Sequence, residues 1–266
     1  MGTILIDTPA KHVCRIRIDR PKKLNALNYE IREAMLEALP DILNNSDNRA
    51  IVFGGVGGNL SAGGDVPSMQ NLTKCQANDR MGHIHELCRL VAGANIPIVT
   101  AAEGICAGGA VGLSLLGDYI IVDSKTKIMV PFLKLGLVPD WGMMRSLPLR
   151  VGLPKARRMI LENQTISGDR AIDIGLADIF ASNNDVMGTA IMTAEKLTEL
   201  PILAVGMVKD RLRRLVSFEE DLFEEQLDQI QGLTGMEFEE GFDAYMNKRR
   251  ANFISVKSVK NREHSK

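Results

Sequence analysis

The chain has 266 residues, 45% of them hydrophobic and 24% charged, an ordinary globular composition that excludes disordered and fibrous classes. Its 32 basic and 33 acidic residues give a net charge of −1, and with 5% aromatic residues the sequence has neither the basic footprint nor the stacking platforms of a nucleic-acid binder. Cys14, Cys75, Cys88 and Cys106 form no C-x-x-C pair, His12, His83, His85 and His264 have no metal-ligand spacing, and no basic region precedes an apolar run at the start, so we expect reduced thiols, no metal, no signal peptide and a cytoplasmic chain.

Residues 13–19 place Cys14, Ile16 and Ile18 on one face and Arg15, Arg17 and Asp19 on the other, the period of a half-buried strand. Asn28 is the expected N-cap of a helix carrying Ile31, Met35, Leu39 and Ile42 on one side, with Pro40 set to kink or end it early. Ala50-Ile51-Val52-Phe53 reads as a buried strand closing on Gly54-Gly55, followed by a glycine-rich loop to Gly64 and a helix over 79–92. A strand over 96–102, a small-residue helix over 108–117 and a strand over 119–122 repeat that order, which favours an α/β fold with helical crossovers. The 14 uncharged residues between Glu103 and Asp118 are too few to span a bilayer, for which about 20 are needed, and five of them are glycine; they form a core segment, and no membrane association is expected. From residue 141 the pattern is helical, with a helix over 141–149, Ser167 as an N-cap, and amphipathic stretches over 187–199, 203–214 and 218–231. Nothing divides the chain, so one domain over 1–253 is expected, with its core at about 3–195, a helical region at about 196–253, and a disordered polar tail at 254–266.

Gly63-Gly64-Asp65 and Gly108-Gly109 each follow a strand and open towards a helix or helical turn. Without a Cβ, glycine lets a backbone N–H approach a ligand atom, and a helix N-terminus adds unpaired donors. Two such N–H groups aimed at one oxygen make an oxyanion hole; the same glycines equally serve close packing of a helix on a sheet. Neither phosphate-loop pattern occurs here.

Taken in order, Arg20-Pro21-Lys22-Lys23-Leu24-Asn25-Ala26-Leu27-Asn28, Leu60-Ser61-Ala62-Gly63-Gly64-Asp65 and Glu103-Gly104-Ile105-Cys106-Ala107-Gly108-Gly109-Ala110 resemble the crotonase, or enoyl-CoA hydratase/isomerase, superfamily. Gly136-Leu137-Val138-Pro139-Asp140, Ser167-Gly168-Asp169-Arg170-Ala171 and Gly175-Leu176-Ala177-Asp178 resemble its later landmarks, and residues 237–253 its C-terminal helix. The resemblance implies a spiral of β-β-α repeats with a helical C-terminal extension, a trimer or hexamer in which that helix reaches a neighbouring subunit, and an acyl-CoA substrate with no further cofactor. It places the oxyanion donors on Gly64 and Gly109, and coenzyme A contacts on Lys22, Lys23, Leu24, Ala26, Ala62 and Asp65; for the two lysines a solvated basic turn is the competing account.

Hydratases of this family carry two glutamates where this chain has Gly112 and Phe132, neither able to exchange a proton, so two-glutamate hydration is not expected. Asp140 stands where family isomerases place a carboxylate, and a single carboxylate suffices to carry a proton between two carbons while an oxyanion hole holds the dienolate. Val138, Trp141, Met143 and Met144 around it favour a raised pKa. Asp140 also fits an N-cap of the helix that follows, and that reading stands beside the catalytic one. Glu103 is a distant second base, better placed to bond backbone at a strand end, and Asp118 caps or turns. Phe132, Trp141 and Gly112 belong to the acyl pocket or to the core. The expected function is an enoyl-CoA isomerase using Asp140; another crotonase reaction such as hydration by other residues, thioester hydrolysis or decarboxylation, and a non-catalytic acyl-CoA binder, are the alternatives.

Overall fold

A computed structural model describes residues 3–182, 184–213 and 218–252; the tail expected over 254–266 lies outside them. The chain opens with an antiparallel pair, β1 (Thr3–Ala10) and β2 (Val13–Asp19), tied by Arg15 to Asp7 at 2.6 and 2.8 Å. Helix α1 (Tyr29–Asn44) is capped by Asn28, whose side chain accepts from the Ile31 N–H, and it runs through Pro40 because Leu39 and Ile42 on either side are both buried. Next come β3 (Ala50–Gly55) and α2 (Lys74–Ala92), which starts earlier than the apolar pattern indicates because Thr73 and Gln76 form a capping box.

Two strands then follow without an intervening helix, β4 (Ile98–Ala101) and β5 (Ile105–Ala107), before α3 (Gly109–Leu115). The same step recurs in β6 (Tyr119–Val122) and β7 (Lys127–Met129). Helices α4 (Met143–Val151) and α5 (Leu153–Leu161), strand β8 (Thr165–Ser167), helix α6 (Gly168–Asp173) capped by Ser167, and strand β9 (Ile179–Phe180) complete the body. Helices α7 (Val186–Leu197), α8 (Ile202–Arg213), α9 (Phe218–Leu233) and α10 (Met236–Met246) form the C-terminal region.

The larger sheet has the order β1-β2-β3-β4-β6-β9, parallel from β2 onward, and a smaller one has the order β5-β7-β8. The turns through β4-β5-α3 and β6-β7-α4 each leave one strand in the large sheet and one in the small before returning through a helix, the β-β-α spiral. Cys14, Ile16 and Ile18 of β2 pack with α1 and α2, whereas Val13, Val52, Val99 and Ile121 pack with Val186, Ala190 and Ala194 of α7 on the opposite face. The large sheet is therefore covered on both faces, as a parallel sheet requires. Helix α10 packs against the segment ahead of α4: a Cβ on Gly241 would fall 2.6 Å from the Leu135 carbonyl carbon, and one on Gly136 equally close to that of Glu237.

Candidate active site

The spiral itself brings the two glycine loops together. Ser61 and Cys106 form a parallel bridge, with the Ser61 N–H on Ile105 O and the Ala107 N–H on Ser61 O, both at 3.0 Å. Gly64 and Gly109 each stand three residues beyond that pair. The preceding residues, Gly63 and Gly108, have φ of +89° and +51°, and they touch: a Cβ on Gly63 would fall 2.6 Å from Ala107 O and 3.3 Å from Gly108 Cα. At Gly63 only glycine fits, on conformation and on space alike; at Gly108 the left-handed backbone favours it. Among the described residues neither the Gly64 nor the Gly109 N–H has an acceptor; Gly109 is the first residue of α3, where helix geometry leaves the donor free. Both line the same chamber.

Outside that chamber is a cleft of about 960 Å³ lined by Lys22, Lys23, Leu24, Ala26, Ala62, Gly64 and Asp65, and on its far wall by Ala244, Tyr245 and Arg249 beyond α10's inner face. Its near wall is fixed by Asn25, fully buried with φ of +57°, whose side chain donates to Val56 O and Asn59 O and accepts from the Arg20 N–H. Leu24 O takes the Ala62 N–H at 2.8 Å, which joins this wall to the glycine loop. The Asp65 carboxylate is held by Arg20 at 3.0 Å. Lys22 and Lys23 are exposed.

The inner chamber is small, about 60 Å³, and shares Ala62, Gly64, Val66, Pro131 and Leu135 with the cleft. Phe132, Trp141 and Asp140 line it with the two oxyanion candidates. Gly112 does not: it lies behind Trp141, where a Cβ would fall 2.4 Å from the tryptophan Cβ, so its role is to admit the indole. Glu103 lines neither cavity; its carbonyl takes the Leu60 N–H, as a strand-end residue would, and burial pushes its carboxyl pKa up. Asp118 accepts the Ile98 N–H and pairs with Lys209.

Asp140 is 7% exposed, and its Oδ1 has no hydrogen-bond partner. It is not the cap of α4: the helix begins at Met143 after Gly142, without a side-chain cap, because Trp141 and Gly142 both take left-handed φ, +57° and +68°, and turn the chain before it becomes helical. Burial pushes the Asp140 pKa up to about 7, helped by the neighbouring Glu225 and opposed by Arg80. A buried carboxyl with its Oδ1 free and Gln229 beside it, poised between its two forms at neutral pH, suits proton transfer in both directions.

Three further elements converge here that motif reading does not reveal. Glu225 of α9 is buried, accepts from the Gly142 N–H at 2.8 Å and meets His85 Nε2 at 3.1 Å; burial raises the Glu225 pKa to about 8 and lowers that of His85 to about 4. Gln229, also from α9, and Arg32 and Arg80, from α1 and α2, line the chamber wall. The signal for the α9 pair is periodic: Leu222, Glu225, Gln229 and Leu233 share one helical face, and all four are buried. A carboxylate on a core-facing helical stripe marks a group with a task beyond solvation.

The sequence pattern of the enoyl-CoA hydratase/isomerase family matches residues 8–256. Among curated relatives, a crotonyl-CoA hydratase of Syntrophomonas wolfei is 29% identical over 90% of this chain and 93% of its own length. A 1,2-epoxyphenylacetyl-CoA isomerase of Escherichia coli K12 is 28% identical over 95% of this chain and 99% of its own. In fold, the crystal structure of an enoyl-CoA hydratase/isomerase from Pseudoalteromonas atlantica superposes with a TM-score of 0.85 at 23% identity, covering 94% of this chain and 99% of that one.

Proposed function

The chain belongs to the enoyl-CoA hydratase/isomerase family, and from that premise we propose that it is an enoyl-CoA isomerase, binding its thioester in the outer cleft and moving a proton with Asp140. The acyl group passes Gly64 into the inner chamber, and the thioester oxygen accepts from the N–H groups of Gly64 and Gly109. Asp140 in its ionised form removes a proton from the α-carbon of a 3-enoyl thioester; the electrons move into the carbonyl, giving a dienolate whose oxygen the two N–H groups stabilise. The same carboxyl returns the proton at the γ-carbon, the double bond settles between α and β, and Asp140 is ionised again.

The observation that carries this reading is the lone Asp140 Oδ1, buried in the chamber with a pKa near 7 beside two unused N–H donors. Glu225 does not revive a two-carboxylate hydration: both its oxygens are engaged, by His85 and by the Gly142 N–H, and it does not line the chamber. A trimer or hexamer remains part of the proposal on family grounds.

Asp140→Asn is the decisive substitution. Asparagine keeps size and polarity but cannot shuttle a proton, so isomerisation of a 3-enoyl-CoA is expected to fall by about 10²–10⁴-fold with acyl-CoA affinity within a few-fold of the parent. A folded variant at the parental rate removes Asp140 from the chemistry and favours a different crotonase reaction or a non-catalytic acyl-CoA binder.

A further inference from the structure

The inner chamber carries more positive charge than proton transfer requires. Arg80 lines it and makes no hydrogen bond or ion pair among the described residues. Its Nη2 lies 3.4 Å from where a Cβ on Gly64 would sit, directly beside one of the oxyanion donors. Arg32, 3% exposed, lines the same wall; its contacts are to Leu27 O, to His83 Nδ1, both at 3.3 Å, and to the Tyr29 ring at 5.9 Å, none of them a carboxylate. The chamber thus sets two guanidinium groups against the single carboxyl of Asp140. The other nearby acid, Asp65, is already paired with Arg20.

Buried charge of one sign is costly unless something compensates it. Here the cost is visible: burial pulls the Arg32 pKa down to about 9, and repulsion from Arg80 adds to the effect; burial also lowers that of Arg80, which Asp140 and Asp65 only partly offset. A fold that keeps such a pair beside its reaction centre has a use for an anion there.

Resting on the acyl-CoA reading above, we propose that the substrate's acyl group carries a carboxylate of its own, a short-chain dicarboxylic monothioester, gripped by Arg80 with Arg32 behind it. The coenzyme A phosphates are not this anion, because the cleft with Lys22 and Lys23 lies on the outer side of Gly64 and the guanidinium groups on the inner. The small volume of the chamber, about 60 Å³, limits the chain to a few carbons between thioester and carboxylate. Guanidinium suits the task, since its planar fork matches a carboxylate's two oxygens and sheds water more readily than an ammonium.

Glutaryl-CoA and pentanoyl-CoA, saturated and equal in chain length, differ in the terminal carboxylate, and calorimetric titration of each into the protein reads its contribution without turnover. Glutaryl-CoA is expected to bind at least about tenfold tighter, as charge-assisted hydrogen bonds of this kind provide. In Arg80→Gln the ratio of the two affinities is expected to fall towards one. Equal or tighter binding of pentanoyl-CoA by the parent protein overturns the proposal and leaves the acyl-CoA reading standing; so does a folded Arg80→Gln with the parental ratio. If neither thioester binds, the acyl-CoA reading itself falls and takes this one with it. The two parental titrations decide even where the variant does not fold.

Discussion

In the outer cleft Lys22, Lys23 and Lys134 stand in water, free to gather the charge of a nucleotide and free to lose it to salt; past Gly64, Arg32 and Asp140 are buried and Arg80 half-buried, and desolvation moves the pKa of each. The two spaces share a loop and differ in dielectric. A solvated lysine contributes attraction at a distance that ions screen within about 10 Å at 0.1 M salt. A buried carboxyl gains a working pKa, and a buried guanidinium gains strength towards the anion that satisfies it. On the proposed function, selection of the carrier therefore belongs to the outside and chemistry to the inside, with the Gly63–Gly64 and Gly108–Gly109 crossing as the wall between them.

Breaking that wall is expected to have the largest effect. In Gly63→Ala the new Cβ falls 2.6 Å from Ala107 O, with backbone on every near side and φ at +89°, so nothing flexible can give way. The loops must part, and both candidate oxyanion donors move with them. We expect a loss of about 2–3 kcal/mol in denaturant unfolding, and turnover of a 3-enoyl-CoA reduced well beyond what the stability loss explains. Gly58→Ala is the control: its φ is also left-handed, at +72°, but a Cβ there meets nothing within 4 Å, so only conformational strain of about 1 kcal/mol is expected.

A smaller effect separates the two spaces by pH. The Asp140 pKa is raised from an ordinary 3.8 to about 7 by burial, so the fold favours its protonated form. The native state holds this proton over a range where the unfolded chain has released it, and stability from this group falls as pH rises from about 4 to about 7, then levels off. Asp140→Asn removes that cost. Its melting temperature should therefore exceed the parent's by several degrees at pH 8.5 and converge on it near pH 4. Glu225, raised to about 8, adds a slope of the same sign in both proteins, and because it neighbours Asp140 the gap at high pH also includes relief of their mutual repulsion. A constant gap across that range would mean that Asp140 titrates like a solvated aspartate, with the chamber open to water.

How much of this was legible follows the same division. The outer cleft and the oxyanion loops lie in continuous stretches, 20–28, 60–65 and 103–110, where order and glycine placement carry the information, and the long strands and helices followed from their periods. Arg32, Arg80, Glu225 and Gln229 come from three helices far apart in the chain, and only folding sets them side by side. Each sits on or beside an apolar stripe, Arg80 between Ala77 and Ile84 of α2 for instance, but a polar residue there is read as a solvated edge unless the partner element is known. The short strands β5, β7, β8 and β9 were missed for a different reason: two or three residues do not make a period. Gly112 falls to the core and not to the acyl pocket, a choice the sequence leaves open because spacing from Gly109 says nothing about Trp141, which arrives from the turn before α4.

The smallest expected effect tests the outside alone. Lys22 and Lys23 are exposed and make no ion pair among the described residues, so each contributes to acyl-CoA binding only through screened attraction, on the scale of a surface ion pair at about 0.2–1 kcal/mol. The double substitution Lys22→Ala/Lys23→Ala is expected to raise KM for an acyl-CoA several-fold at 50 mM salt and by less than twofold at 0.5 M, where the Debye length has shrunk to about 4 Å and the parent has lost the same attraction. The rate at saturation should move much less than KM, because attraction in the cleft acts on ground state and transition state alike. A KM ratio between variant and parent that does not narrow with salt would place the lysines in direct, desolvated contact with the substrate and move the boundary between the two spaces outward, past Ala26 to the rim of the cleft.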